Sequence, residues 1–119
     1  MVLRFIRLRI LKKEALNLAN QGYTKPVAKK IKVLGKEGLG MFIVGAHSMH
    51  AAGYITEYEK LMSERLAYVI CGGDLSAPTL VSEQYLLDLE REAFLSLCGE
   101  RKTLERIEHM LKNGKPLRN

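Results

Sequence analysis

An all-α domain of about five helices is predicted for this chain, and three observations carry the prediction. Apolar residues recur every three to four positions in several separate stretches. Capping and stopping residues punctuate those stretches at the right places, with Thr56 three residues before Glu59, Ser82 before Tyr85, the Gly72-Gly73 pair, and Gly114. No stretch combines alternating hydrophobicity with turn residues well enough to make a convincing sheet. At 119 residues and 47% hydrophobic content, the chain is one ordinary domain at most.

The first helix runs from about Arg4 to Asn20, where Ile6, Ile10, Leu11, Ala15, Leu18 and Ala19 recur near helical spacing and Gly22 is a natural stop. The segment YTKPVAKKIKVLGKEGLG holds Pro26 and three glycines, so it reads as a long connector with at most a short extended stretch at Ile31 to Leu34. LGMFIVGAHSMHAAGY follows as a glycine-containing helix. Its small residues Gly40, Gly45, Ala46 and Ala51 admit a close backbone neighbour, and Gly53 ends it.

Thr56 and Glu59 have the spacing at which a hydroxyl and a returning carboxylate satisfy each other's free amides, so the third helix starts at Thr56. Its apolar face is Tyr58, Leu61, Met62, Leu66, Val69 and Ile70. DLSAPTL is a loop, because Pro78 disfavours helical geometry at Ala77. Ser82 caps the fourth helix, whose stripe is Tyr85, Leu86, Leu89, Ala93, Phe94 and Leu97. The fifth runs from about Lys102 to Lys112 with Leu104, Ile107, Met110 and Leu111 on one face, and KPLRN is an extended basic tail. The resulting division is a basic helix over 1–22, a basic Gly/Pro connector over 23–38, and a helical domain over 39–119.

Charge is segregated along the chain. Residues 1–38 carry ten Lys/Arg against Glu14 and Glu37, a local net of +8; residues 39–100 net −6, and residues 101–119 return +4. The basic ends either meet a phosphate-bearing partner or fold against the acidic middle. No apolar run approaches the ~20 residues that span a bilayer. Arginines at 4, 7 and 9 break any signal-peptide core, so a cytoplasmic chain is expected. Cys71 and Cys98 form no CxxC motif and read as reduced structural thiols.

Each candidate for chemistry has a structural explanation that serves better. His47 and His50 share a helix surface, but a metal site needs a third ligand, and His109 lies far along the chain. Asp88, Glu90 and Glu92 sit beside Arg91 in the pattern of a solvated or salt-bridged helix face, not of an acid and base pair. Neither cysteine has an activating neighbour in sequence. GKEGLG matches neither GxGxxG nor a phosphate loop and reads as a loop or helix entrance. Lys25, Lys29, Lys30, Lys32 and Lys36 make a basic run, but Tyr23 alone interrupts it, which disfavours a nucleic-acid stacking platform.

The most specific stretches are AGYITEYEKLMSERLAYVICGGDL and VSEQYLLDLEREAFLSLCGERKTLERIEHMLKNGKPLRN, preceded by EALNLANQGYTKP. From about Ala15 to Asn119 the chain resembles the extreme C-terminus of the long bacterial 3-hydroxyacyl-CoA dehydrogenases of fatty-acid β-oxidation, in which dehydrogenase domains precede an enoyl-CoA hydratase-like (crotonase) domain. The resemblance implies a helical segment that packs over the crotonase core, contributes to subunit contacts or edges the acyl-CoA site. NAD and a CoA thioester are implied for the parent enzyme, and neither is expected to bind this chain alone.

No catalytic residue carries over, because the nucleotide fold and the oxyanion-holding amides belong to parts of the family that this chain does not match. Residues 1 to about 13 match weakly, so MVLRFIRLRI reads as the start of a truncated or frame-disrupted gene. Lys112, Lys115 and Arg118 are the candidate contacts to CoA phosphates, since flexible cations attract them.

The reading that follows is a noncatalytic structural and oligomerisation segment, partnered by itself or by the missing parent domains, with no membrane span. Two alternatives stay open. One is a working dehydrogenase or hydratase subunit completed by another chain; the other is a small basic helical nucleic-acid-binding module.

Overall fold

The computed structural model describes residues 2–119, with side chains from Ile6 onward. Five helices follow in order: α1 (Val2–Asn20), α2 (Gly35–Ala51), α3 (Glu57–Ile70), α4 (Glu83–Cys98) and α5 (Arg101–Asn113). Two three-residue strands, β1 (Ile31–Val33) and β2 (Thr79–Val81), pair antiparallel with Ile31 opposite Val81 and Val33 opposite Thr79. The all-α class therefore holds, with one small sheet that the sequence did not disclose.

The core is a narrow hub where β1, the start of α2 and the end of α3 meet. Val33 and Cys71 are almost fully buried there. Helix α2 has no side-chain N-cap. Instead its first free amides are taken by tertiary carbonyls, Gly35 N–H donating to Cys71 O at 2.9 Å and Lys36 N–H to Leu75 O at 2.8 Å. That geometry requires glycine at 35, where φ is +66° and an added Cβ would lie 2.7 Å from the Leu75 carbonyl oxygen. Helix α2 consequently begins at Gly35, four residues before the Leu39 boundary expected from the sequence, and absorbs GKEGLG into its first turns.

Helices α3 and α4 begin as the capping residues predict. Thr56 and Glu59 form a reciprocal capping box, and Ser82 Oγ accepts from the Tyr85 amide at 3.2 Å. The hydroxyl of Tyr85 donates to Gly72 O at 2.9 Å, tying the first turn of α4 to the end of α3 so that the two helices run antiparallel. Gly114, at φ +64°, closes α5 in the left-handed conformation.

The molecule is extended. Its radius of gyration is 20.2 Å, against about 13.5 Å for a compact domain of this length. Every described side chain of α1 is exposed, as is the connector from Gln21 to Lys30. The organised part of the chain is the bundle of α2 to α5 around the hub.

Candidate functional site

Helix α3 has two flanks of opposite character, and both are candidate functional surfaces. The first flank meets α5 and the C-terminal tail. Here Tyr58 is only 5% exposed and its hydroxyl is hydrogen-bonded to that of Thr103 on α5. The Arg106 guanidinium stands 5.3 Å from the Tyr58 ring centroid, within cation–π range.

Glu59 is the centre of this flank. Its carboxylate completes the capping box by accepting from the Thr56 amide at 2.9 Å, and it receives Arg118 through two bonds, Nε to Oε1 at 2.8 Å and Nη2 to Oε2 at 2.6 Å. The Arg118 fork, with the Thr56 amide next, holds the Glu59 carboxyl down to about 2. Arg118 also donates to Tyr54 O at 3.1 Å. Next to it, Asn119 accepts from Arg106 Nε at 2.7 Å and donates to Glu105 at 2.9 Å. The tail is thus clasped across the start of α3 and along α5.

The second flank of α3 is apolar and open. Between α3 and α4 lies a groove of about 380 Å³ floored by Met62, Leu66, Val69, Phe94 and Leu97, with Arg65 on one rim and Glu90 on the other. Leu66 is 60% exposed and Phe94 55%. A second groove of about 410 Å³ runs between α2 and α3, lined by Met41, Phe42, Ala46, Met49 and Ile55. Helix α2 is apolar nearly all round, yet Met41, Phe42, Ile43, Val44 and Met49 are exposed. A helix hydrophobic on every side belongs inside a larger body.

The candidates of the sequence reading fall as follows. Asp88 accepts from Gln84 Nε2 at 2.9 Å and lies 3.6 Å from Arg91, and Glu92 is exposed, so these carboxylates face water. His50 pairs with Glu57 at 3.1 Å while His47 is exposed. His109 Nδ1 donates to the Lys115 carbonyl at 2.9 Å. No group of three or more potential metal ligands is found among the described residues. Burial raises the Cys71 thiol, which disfavours the nucleophilic thiolate, and Cys98 is half-buried. Among the described residues no helix is long and apolar enough to cross a membrane.

The three cations proposed for CoA phosphates have different surroundings. Lys112 is paired with Glu108 one turn earlier, Arg118 is held by Glu59, and Lys115 is exposed on the tail. The Glu59 capping role was read from its spacing to Thr56, whereas the Lys112–Glu108 pair went unread although the two stand four residues apart, the spacing of a helical ion pair. Nothing local pointed to Arg118 as Glu59's partner, because the two are 59 residues apart.

No family model matches the chain, and no solved structure matches it. Among curated proteins, a probable 3-hydroxyacyl-CoA dehydrogenase of Bacillus subtilis (strain 168) is 48% identical over 108 residues, covering 91% of this chain. The chain spans only 14% of that much longer protein, so what it is similar to is one helical piece of a probable 3-hydroxyacyl-CoA dehydrogenase.

Proposed function

We propose that this chain is a noncatalytic structural segment of a cytoplasmic 3-hydroxyacyl-CoA dehydrogenase/enoyl-CoA hydratase of fatty-acid β-oxidation. It acts by packing its apolar helices against the rest of the enzyme and against other subunits. The observation that carries the reading is α2, a helix apolar on nearly all sides whose large side chains are left exposed in a chain spanning 14% of its relative. The crotonase-like character of the enzyme's core rests on the sequence resemblance, and NAD and the CoA thioester belong to the parts of the enzyme that this chain does not match.

Contact with acyl-CoA is a finer part of the same proposal. Lys115 is the best placed of the three cations for a phosphate, since Lys112 and Arg118 already hold carboxylates. Catalysis is assigned to the parts of the enzyme that this chain does not match, since the chain spans 14% of its relative.

The test supplies this chain in trans to the B. subtilis relative cut short of its matching segment. The chain alone is expected to turn over neither 3-hydroxyacyl-CoA nor enoyl-CoA, and to co-purify with the shortened relative while raising its soluble yield. Turnover by the chain alone, or failure to associate with a folded partner, overturns the proposal. Should the shortened relative not fold, a chimera carrying this chain in place of the matching segment keeps the test alive. It is expected to be active and soluble, and Phe42→Glu with Val44→Glu is expected to abolish soluble assembly; a chimera indifferent to both substitutions contradicts the reading.

A further inference from the structure

We propose that the cleft between the start of α3 and α5 is a binding site for an extended peptide carrying arginine followed by asparagine, and that the chain's own Arg118 and Asn119 fill it as a displaceable ligand. The inference stands apart from the reading of the enzyme's assembly and rests on how the tail is held.

First, the walls of the cleft are set by contacts that do not involve the tail. Glu59 is fixed in its capping box with Thr56. Arg106 stands over the Tyr58 ring at 5.3 Å, and the Tyr58 hydroxyl is bonded to Thr103. A carboxylate for a guanidinium and a guanidinium for an amide oxygen are thereby held side by side, 3.9 Å apart.

Second, both tail residues are read by chemical type. Arg118 engages the two oxygens of Glu59 through Nε and Nη2 and also donates to Tyr54 O, a planar fork that lysine cannot reproduce. Asn119 uses both ends of its carboxamide, Oδ1 accepting from Arg106 Nε at 2.7 Å and Nδ2 donating to Glu105 at 2.9 Å. Its main-chain oxygen accepts from Thr56 Oγ1 at 3.3 Å and from Arg106 Nη2 at 3.4 Å. One guanidinium, one carboxamide and the main chain beside them are all recognised, which is what a peptide site does.

Third, the attachment is separable. Residues 116–119 form no helix or strand, and no residue from Lys115 to Asn119 is fully buried. The tail is held chiefly by polar bonds, and it leaves α5 at Gly114, whose surroundings are open. A hold of this kind exchanges with a ligand of the same chemistry. Entry of a partner's arginine-asparagine segment releases the tail, and with it the Lys115 carbonyl bond to His109. In cis the tail acts at an effective concentration of roughly millimolar, so it keeps dilute competitors out.

The test titrates the full chain with the peptide KPLRN, capped at both ends, and follows the NMR shifts of the Tyr58, Glu59 and Arg106 amides. The chain carries a net charge of +6, so a cationic peptide binds it against overall repulsion. Arg118→Ala with Asn119→Ala empties the cleft and is expected to take the peptide about tenfold or more tightly than wild type. Adding Glu59→Gln, which preserves the capping box, is expected to undo that gain. A peptide with lysine in place of arginine is expected to bind several-fold more weakly, on the order of threefold or more.

A double variant whose circular dichroism matches wild type but whose shifts do not saturate overturns the inference. So does binding that Glu59→Gln and the lysine peptide leave unmoved. Should the double variant not fold, Arg118→Lys carries the test, because it keeps a cation at Glu59 and loses the fork. It is expected to bind the peptide more tightly than wild type, and equal binding by the two sinks the proposal. All readouts are on the isolated chain, so none depends on association with the shortened relative.

Discussion

The two flanks of α3 differ in what completes them. Toward α5, the flank is closed by the chain itself: Tyr58, Thr103, Arg106, Glu59, Arg118 and Asn119 satisfy one another, and no polar side-chain atom buried among the described residues lacks a partner. Toward α4 and α2 the surface is apolar and unfinished, with Leu66, Phe94 and the large residues of α2 in water. A fold normally hides such side chains, at roughly 25 cal/mol for each Å² removed from water. The contrast teaches which side of the segment stands on its own and which side is made for something else.

The largest effect is expected on the closed flank. Tyr58→Ala removes a 5% exposed ring together with its hydroxyl bond, and it is expected to lower unfolding stability by about 3–5 kcal/mol in a urea titration. Tyr58→Phe keeps the ring and leaves the Thr103 hydroxyl without its partner, with an expected cost of about 1–2 kcal/mol. If the two substitutions cost the same, the polar contact and not the ring dominates this flank.

Acid sharpens the comparison further. The folded Glu59 carboxyl sits at about 2 against an ordinary value of 4.5. A depressed carboxylate stabilises the fold fully above the ordinary value and loses that contribution as pH falls from 4.5 towards 2. Thermal unfolding followed across that range is expected to show the loss in wild type and a flatter profile in Glu59→Gln, with the tail clasp released in both at low pH. A wild-type profile no steeper than that of the variant breaks the claim that Arg118 and Glu59 hold the tail.

The smallest effect is expected on the open flank. Leu66→Ser at a 60% exposed position is expected to change the stability of the dilute monomer by no more than about 0.5 kcal/mol. A large loss of monomer stability would mean that Leu66 is already packed within the chain, and the two flanks would no longer differ.

Much of the bundle was legible because its signals are local. Thr56 with Glu59, Ser82 with Tyr85, and Gly114 each fix a helix end through groups within four residues, and the structure uses all three. The open apolar stripes of α3 and α4 were equally visible as period-3.6 patterns. What escaped is long-range. The pairing of Ile31–Val33 with Thr79–Val81 joins strands 45 or more residues apart with no hairpin turn between them.

The start of α2 was placed late for the same reason. Its caps are the carbonyls of Cys71 and Leu75 and not a side chain, and glycine at 35 argues locally against helix while its positive φ is what the approach requires. Arg118 read as a spare cation for a phosphate because local spacing offers it no carboxylate, whereas folding delivers Glu59.

The most direct measurement of the central claim is hydrogen exchange on this chain, alone and bound to the relative shortened by its matching segment. The account predicts slowed exchange on binding along α2 and the facing turns of α3, with α5 and the clasped tail unchanged. Protection appearing at α5 and the tail while α2 exchanges as before would contradict it.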